Sequence, residues 1–375
     1  MKTIKKITAA LAALALAFAL GSCANGTNNY VPVVIPQRQT GKVEFESIDR
    51  VFSYDYEGDY NIDALIEADI SDPQELVNYL IEQLKVMYGI TESDFSYSVN
   101  AIGAGCCSIV ANNAGSAGGK IYGRNYDYPD GSALVIHTKP DTGYESVTTA
   151  YPYFLTGDYN WQPSLYVPKE IIGYCSIFAP LDGMNEKGFY ISILEAGDNE
   201  LTAQSSAGKH DTQTTVAVRY LLDKADSVAK ALELLENLNM HSIFGTAYHF
   251  AMADTTGKSV VVEYINNQMK VTDTKVVTNH YITPNSGKPA PQPTQNTILR
   301  YNAAYNAGEA ANWNMTPEQV RDALKAAAAR KYNEDPASTH ISIWSVVYEP
   351  NAKKITYYFR ENFDQYAEIT LGAAQ

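Results

Sequence analysis

Cysteine is scarce in this chain of 375 residues, which contains four: Cys23, Cys106, Cys107 and Cys175. An exported domain built on disulfides would carry a larger, evenly spaced set, so a disulfide framework is excluded. Adjacent cysteines form only a rare, strained disulfide. The sequence has neither a Cys-x-x-Cys pair nor a His-Glu-x-x-His run, so a structural zinc site has little support. We expect no metal and no cofactor.

Basic residues are also in the minority, with 28 lysines and arginines against 42 aspartates and glutamates and a formal charge of −14. No basic stripe suits a phosphate backbone, so we expect no nucleic-acid partner. The apolar run near the N-terminus is too short to cross a bilayer. With 45% hydrophobic and 19% charged residues, the composition is that of a globular protein with one large core or two modest ones. It does not predict an oligomeric state.

The N-terminus has the pattern of an export signal. Three lysines precede an Ala/Leu run that ends in Leu-Gly-Ser-Cys at Cys23, which resembles a bacterial lipobox. We expect residues 1–22 to be a lipoprotein signal peptide, Cys23 to carry the lipid anchor, and the protein to be exported to the bacterial cell envelope, at the outer membrane or cell surface. Ordinary cleavage that leaves a free Cys23 is the alternative. Residues 23–42 are polar and proline-bearing and predict a flexible tether.

Helices and strands alternate in blocks after the tether. Asp72-Pro73 followed by Glu75 predicts the start of a helix that ends at Gly89. A second helix is expected over 214–238, broken near 223–226, and a third from Thr316 through 331. Strands are expected at 106–112, 119–127, 133–138, 188–196, 247–254, 258–273, 340–350 and 353–362. This arrangement predicts an α+β domain with two antiparallel sheets between helices.

The adjacent pair Cys106-Cys107 stands before a Gly-Arg-Asn turn that contains Arg124 and Asp127. A catalytic cysteine needs a thiolate, a base, and donors for the oxyanion that forms during attack on a carbonyl. Arg124 could lower the pKa of a thiol, and Asp127 could orient an ammonium group. By pattern alone, a solvated ion pair in a turn is the commoner explanation of these two residues.

The stretch "CCSIVA…GGKIYGRNYDYP" resembles the signature of the choloylglycine hydrolase family of N-terminal nucleophile cysteine amidases, which includes the acid ceramidase and N-acylethanolamine acid amidase branch. Further segments resemble the family in the same order: "DGMNEKGFYISIL" at 182–194, "MADTTGKSVVVEY" at 252–264, "VVTNHYITP" at 276–284 and "NTILRY" at 296–301. The resemblance spans roughly residues 106–362. It implies an N-terminal nucleophile αββα sandwich.

The resemblance implies a role for several residues. Cys106 matches the nucleophile, and Cys107 stands where the family usually has threonine, although Cys107 as the nucleophile fits a looser form of the motif. Arg124 matches the arginine beside the thiol, and Asp127 the aspartate beside the amine of the nucleophile. Two further matches are Asn279, the asparagine that donates to the oxyanion, and Arg300, the arginine that completes the charged network.

Glu195 departs from the bile salt hydrolases, which have asparagine there, and agrees with the ceramidase-like branch. A carboxylate near an oxyanion helps only with a raised pKa or through a neighbouring backbone donor. We therefore expect better activity at acidic pH, and a profile flat from pH 5 to 8 would count against this role for Glu195.

The family mechanism gives a reason for a nucleophile in mid-chain. Its base is the α-amine of the nucleophile, whose pKa near 8 suits proton transfer. The Gly105–Cys106 bond must therefore break, which predicts a lipidated small chain, 23–105, and a catalytic chain, 106–375. Residues 43–105 are expected to be a helical prosegment or small subunit.

The activity implied is hydrolysis of a linear amide, with a bile-salt conjugate or a fatty-acyl amide as substrate. A catalytically silent surface lipoprotein that uses the fold to bind a ligand is the alternative. His280 beside Asn279 also allows a Cys-His-Asn protease, although no such signature surrounds Cys106. The Tyr- and Pro-rich segment 144–170 is expected to form a loop, which could cover an active site.

Overall fold

The computed structural model describes residues 40–89, 105–164, 167–197, 200–243, 245–288, 290–332 and 339–372. The predicted signal peptide, Cys23 and most of the predicted tether lie outside these ranges. Within them, no helix is long and apolar enough to span a membrane.

Eighteen strands, numbered in chain order, occur in the described residues. They are β1 Gly41–Lys42, β2 Val51–Glu57, β3 Gly105–Asn113, β4 Lys120–Pro129, β5 Ala133–Lys139, β6 Ser146–Ala150, β7 Asp182–Asn185, β8 Tyr190–Glu195, β9 His210–Gln213, β10 Leu238–His241, β11 Tyr248–Ala253, β12 Ser259–Ile265, β13 Gln268–Asp273, β14 Val276–Val277, β15 Asn314–Met315, β16 His340–Glu349, β17 Lys354–Phe359 and β18 Asn362–Thr370.

Eight α-helices accompany these strands in the part of the chain that is described. They are α1 Ile62–Glu67, α2 Pro73–Tyr88, α3 Tyr153–Thr156, α4 Lys169–Ile177, α5 Thr214–Lys224, α6 Val228–Leu235, α7 Asn296–Ala310 and α8 Pro317–Ala326. Short 3₁₀ turns lie at 45–47, 329–332 and 350–352.

Two eight-stranded sheets form the centre of the molecule. Sheet A has the order β1-β18-β17-β16-β4-β3-β14, with β15 also paired to β3, and sheet B has the order β13-β12-β11-β8-β7-β6-β5-β2. Helices α7 and α8 pack on sheet A, and α4 and α5 pack on sheet B. The predicted sandwich of two sheets between helices is confirmed.

Several local predictions are confirmed by their capping geometry. The side chain of Asp72 accepts a hydrogen bond from the backbone N–H of Gln74, Glu75 bonds back to the N–H of Asp72, and Gly89 ends α2 in the left-handed region. The predicted break in the second helix separates α5 from α6, where Ser227 caps the new helix. The third helix begins at Pro317, as expected, but ends at Ala326.

Other local predictions are wrong. The single strand expected over 258–273 is a hairpin, because Asn266 and Asn267 both adopt positive φ and turn the chain between β12 and β13. The expected loop at 144–170 contains β6, whose five residues are all buried in the middle of sheet B. Its Ser-Val-Thr-Thr-Ala sequence lacks the apolar alternation of a half-exposed strand, since both its faces are covered.

The described part of the segment before Cys106 contributes a strand to each sheet besides the helices α1 and α2. Strand β1 pairs in parallel with β18 in sheet A, and β2 pairs in parallel with β5 in sheet B. Among the described residues, regular structure begins at Gly41, two residues before the predicted boundary at 43. Because β1 and β2 hydrogen-bond to strands that follow Cys106, they are structurally integral to the sandwich.

Candidate active site

The two adjacent cysteines of β3 point to opposite faces of sheet A. Successive side chains of a strand alternate between faces. Cys106 lies in the large core between the sheets, whereas Cys107 lies in the smaller core under α7 and α8, together with Leu324 and Trp313. Only Cys106 therefore shares a face with Arg124, which comes from the neighbouring strand β4.

The backbone of Cys106 is bound on both sides by side chains distant in sequence. Its N–H donates to Asn279 Oδ1 at 2.6 Å, and its carbonyl oxygen accepts from Arg300 Nη1 at 2.7 Å. Asn279 follows β14, the strand next to β3, and Arg300 lies on α7, which packs on β3. Cys106 is thus fixed through its main chain.

Arg300 joins the members of this cluster. Its Nη1 also donates to Asp127 Oδ2 at 2.8 Å, and its Nη2 donates to Asn279 Oδ1 at 2.8 Å. Both Arg300 and Asp127 are almost completely buried, so the pair is fully desolvated. The other carboxylate oxygen of Asp127 accepts from Ser342 Oγ at 2.5 Å.

Ser342 is a member of the site that the sequence did not indicate. It lies on β16, where the register with β4 shifts between Ser342 and Trp344. Such a bulge redirects a side chain. A serine in a strand carries no sequence signal for this position, because the contact depends on the register between two strands.

The orientation of the Asn279 amide is set by its neighbours. Arginine has only donors, so the Asn279 atom that faces Arg300 must be the oxygen. Its Nδ2 donates to the main-chain oxygen of Glu195 at 3.0 Å. This bond uses one of the two Nδ2 hydrogens. Gly197 has a positive φ, and a Cβ there would lie 2.5 Å from the carbonyl oxygen of Asn279, so glycine is required for this close approach.

Glu195 contributes to the site through its backbone. Its carbonyl oxygen accepts from Asn279, and Glu195 lies opposite Tyr248 in sheet B. The expected role of a protonated carboxyl remains a prediction.

Arg124 is completely buried beside the Cys106 thiol. Its Nη2 donates to the carbonyl oxygen of Ile193 at 2.9 Å, and its Nε lies 3.5 Å from Asp182 Oδ2. In the described part of the chain, Arg124 Nε and Nη1 have no hydrogen-bond partner. Burial opposes its charge, but the nearby Cys106 and Asp182 outweigh burial and raise its pKa. Arg124 is therefore a fixed cation whose guanidinium lies against the Cys106 thiol.

Asp182 forms the ion pair with Arg124. The sequence did not indicate it as a site residue. Its carboxylate accepts from Trp344 Nε1 at 2.8 Å and from the Tyr348 hydroxyl at 2.9 Å. These bonds compensate a buried carboxylate and keep it opposite the guanidinium.

The surroundings of the Cys106 thiol favour its protonated form. Burial raises its pKa, and the Arg124 guanidinium partly opposes that effect. Burial also raises the pKa of Cys107, to about 12. Neither cysteine is a ready nucleophile until a base is supplied beside it.

Gly105 brings the peptide bond before Cys106 against Asp127. A Cβ on Gly105 would lie 2.9 Å from both Cβ and Oδ2 of Asp127. Any larger residue would displace the carboxylate, so glycine at this position lets Asp127 lie against the backbone of residue 105.

The structure therefore brings together five of the predicted site residues, Cys106, Arg124, Asp127, Asn279 and Arg300, and places Glu195 at their edge through its main chain. His280 instead bonds Thr278 Oγ1 and Thr297 Oγ1, both at 3.1 Å. Burial lowers its pKa to about 4. No group of three or more His, Cys, Asp or Glu side chains in the described ranges is arranged to hold a metal ion.

Solved structures share this fold. A mutant of the conjugated bile acid hydrolase from Clostridium perfringens matches with a TM-score of 0.52 at 15% identity, covering 72% of this chain and 93% of the other. A second variant of that hydrolase matches with a TM-score of 0.50 at 16% identity, and the match covers 72% of this chain and 94% of the other. A penicillin V acylase from Agrobacterium tumefaciens matches with a TM-score of 0.48 at 16% identity, and the match covers 71% of this chain and 86% of the other. At these identities the first two show the fold alone.

A comparison with curated protein sequences finds no match. A family model, described as acyl-coenzyme A:6-aminopenicillanic acid acyl-transferase, matches residues 115–364. The match covers two thirds of the chain and begins just after β3, the strand that carries Cys106. Together with the fold, it confirms the resemblance to N-terminal nucleophile amidases drawn from the sequence. The chain belongs to the acyl-coenzyme A:6-aminopenicillanic acid acyl-transferase family and has the N-terminal nucleophile hydrolase fold.

Proposed function

We propose that this protein hydrolyses linear, non-peptide amide bonds through a thioester on Cys106, after the chain is cleaved between Gly105 and Cys106. One observation carries the proposal: the N–H and the carbonyl of Cys106 are bound by Asn279 and Arg300, while the thiol faces Arg124. A purely structural cysteine would not need its main chain fixed by a buried charged cluster.

Cleavage begins with attack of the Cys106 thiol on the Gly105 carbonyl carbon. The C–N bond breaks, the Cys106 nitrogen takes a proton and becomes a free amine, and the 105 acyl group passes to sulfur. Water then hydrolyses this thioester, which releases a carboxylate at Gly105 and restores the thiol. The N–H that Asn279 binds belongs to the bond that breaks, so the leaving nitrogen is already fixed.

Turnover then uses the same thiol with the new amine as its base. The amine of Cys106 removes the thiol proton, and the thiolate attacks the carbonyl carbon of the substrate. Arg124 stabilises the thiolate, and the remaining Nδ2 hydrogen of Asn279 is available to the oxyanion. The substrate amine leaves with a proton, and water hydrolyses the acyl thioester.

We infer that the acyl group of the substrate is apolar, as in a fatty-acyl amide or a bile-salt conjugate. The strand face that carries Cys106 and Arg124 continues into stacked aromatic rings, with Tyr126 4.2 Å from Trp344 between centroids. Tyr126 lies directly opposite Cys106 in the sheet. Aromatic rings favour apolar acyl groups through their large flat surface. The name of the matched family also suggests transfer of the acyl group to an amine in place of water.

We also propose that Cys23 is lipidated and holds the protein at the outer membrane or cell surface of a bacterial envelope. The support is the sequence of residues 1–23, with its basic start, apolar run and Leu-Gly-Ser-Cys ending.

A substrate panel tests the amidase proposal. Processed protein is incubated with glycine- and taurine-conjugated bile salts, N-acylethanolamines and penicillin V, with and without 6-aminopenicillanic acid as an acyl acceptor. Released amine and acyl product are measured, and the N-terminus is sequenced. Cleavage before Cys106 with turnover of one class supports the proposal. An uncleaved, inactive protein that binds these compounds would favour the silent binding module.

A further inference from the structure

A further buried carboxylate, Glu263, binds the segment that carries Asn279. Glu263 is on β12 of sheet B, where it pairs with His249 of β11, and neither side chain is exposed to solvent. Neither residue belongs to the cluster around Cys106. A charge at such depth is costly unless hydrogen bonds compensate it, so its partners indicate what it does.

Those partners are two successive backbone amides beyond Asn279. Glu263 Oε1 accepts from the N–H of Ile282 at 2.7 Å, and Oε2 accepts from the N–H of Thr283 at 2.8 Å. His249 Nδ1 lies 3.2 Å from Oε1 and must carry the hydrogen, because a carboxylate only accepts. Both carboxylate oxygens are therefore used.

The segment 278–283 leads away from β14 of sheet A, and Glu263 belongs to sheet B. Near its start, Thr278 Oγ1 donates to the carbonyl oxygen of Thr297 on α7 at 3.1 Å. At its end, Glu263 holds the amides of Ile282 and Thr283, and Thr283 Oγ1 also meets Thr272 Oγ1 at 3.0 Å. Asn279 lies between these two attachments, so its backbone is fixed relative to both sheets.

The charge state of Glu263 agrees with this geometry. Burial acts to raise the pKa of Glu263, but the hydrogen bonds from His249 and from residues 282 and 283 outweigh burial and lower it to about 2. The group is thus a carboxylate at neutral pH and accepts all of these bonds.

We propose that Glu263 is a positioning residue for Asn279: by binding the amides of Ile282 and Thr283 it fixes the segment that places the Asn279 amide against Cys106. This inference rests on the proposed amidase function. Glutamine has nearly the same shape but only one accepting oxygen. In Glu263→Gln, an NH₂ group would face one of the two N–H donors, and that end of the segment would lose its attachment.

The matched control is Asp254, at the turn between β11 and β12. It is also buried and also accepts backbone amides, from Val228 at 2.8 Å and Thr256 at 2.9 Å, but it does not contact the segment 278–283. Asp254→Asn therefore removes a comparable structural carboxylate from the same sheet. A purely stabilising role for Glu263 predicts equal effects of the two variants at equal loss of Tm.

The test compares the two variants with wild type in three measurements. Cleavage before Cys106 is followed on denaturing gels after cell-free synthesis, hydrogen exchange of residues 278–283 by mass spectrometry, and turnover by release of fluorescence from the lauroyl amide of 7-amino-4-methylcoumarin. We expect Glu263→Gln to slow cleavage at least tenfold, to lower kcat with KM within twofold, and to increase exchange at 278–283. Asp254→Asn should stay within twofold of wild type in all three.

Equal cleavage and exchange in the two variants would overturn the inference. A wild-type chain that is neither cleaved nor active refutes the proposed function instead, and hydrogen exchange then decides the role of Glu263 by itself. Unchanged hydrogen exchange at 278–283 in Glu263→Gln rejects the positioning role of Glu263, whether or not the wild-type chain is active.

Discussion

The side-chain oxygen of Asn279 accepts a 2.6 Å hydrogen bond from the backbone N–H of Cys106, although 173 positions separate the two residues. The same oxygen accepts from Arg300 at 2.8 Å, which keeps the amide in one orientation. The bound N–H belongs to the Gly105–Cys106 peptide bond, so one contact connects the predicted cleavage with the predicted catalysis. The predictions below separate this arrangement from a merely structural one.

Replacing the two cysteines one at a time should give opposite results. Cys106→Ala removes the thiol between the sheets and should abolish both cleavage and turnover. Cys107→Ala changes a side chain packed under α7 and α8 and should leave both intact, at a cost of about 1 kcal/mol in stability. Denaturing gels and N-terminal sequencing measure cleavage. Normal processing of Cys106→Ala would show that Cys106 is not the nucleophile.

The small chain should stay bound after cleavage. Strands β1 and β2 pair with β18 and β5, and the Tyr60 hydroxyl donates to the buried Asp223 at 2.7 Å. We expect the two chains to elute together in gel filtration and to separate only in denaturant. A small chain that is lost in native buffer would contradict this expectation. The variant Tyr60→Phe should lower the denaturant concentration at which the two chains separate.

Arg300→Met should be costly for both stability and activity. It leaves Asp127 buried without its cation, and breaking a buried pair costs about 3–5 kcal/mol. It also frees the carbonyl of Cys106, so cleavage should stop. The matched control is Arg321→Met, at an exposed pair with Asp322, which should change stability by about 0.5 kcal/mol or less. Urea unfolding measures the stability of both variants, and an equal loss of stability in the two would refute the special role of Arg300.

Acid should destabilise the fold partly through His280. Burial lowers the pKa of His280 from 6.5 to about 4, so the unfolded chain binds a proton more readily than the native chain. This contribution to stability is present above pH 6.5 and is lost as pH falls toward 4, and it amounts to no more than about 3 kcal/mol. Unfolding of wild type and His280→Gln at several pH values measures it. The variant should show a flatter dependence between pH 6.5 and 4, and identical curves would exclude His280 as the cause.

Glu195 gives a separate test in the activity profile. The bond from Asn279 reaches the main-chain oxygen of Glu195, so Glu195→Gln keeps that contact. If the carboxyl must be protonated to help, activity should rise toward acidic pH in wild type and lose this rise in Glu195→Gln. Initial rates from pH 4 to 8 measure the difference, and a flat wild-type profile would remove the carboxyl from the mechanism.

Local features of the fold follow from local chemistry. The Asp72-Pro73-Glu75 pattern predicts the start of α2, since capping depends on neighbours in sequence. Strand β6 could not be predicted in the same way, because both its faces are buried only when β5, β7 and the helices are in place. The strands before Cys106 were missed for a similar reason, since β1 and β2 are single edge strands that depend on distant partners.

The sequence by itself determined the motif around Cys106, the residues that match the family, and the helices whose ends are capped locally. Only the tertiary structure decided that Cys106 and not Cys107 faces Arg124, and that Asn279 and Arg300 bind the main chain of Cys106. It also decided that Ser342 binds Asp127 and that Glu263 binds the backbone amides of Ile282 and Thr283. The physical reason is the distance along the sequence over which each kind of interaction acts. Helix caps and the alternation of apolar and polar side chains along a strand depend on residues a few positions apart. A buried charge, in contrast, is stable only where packing brings together hydrogen-bond partners from distant parts of the chain.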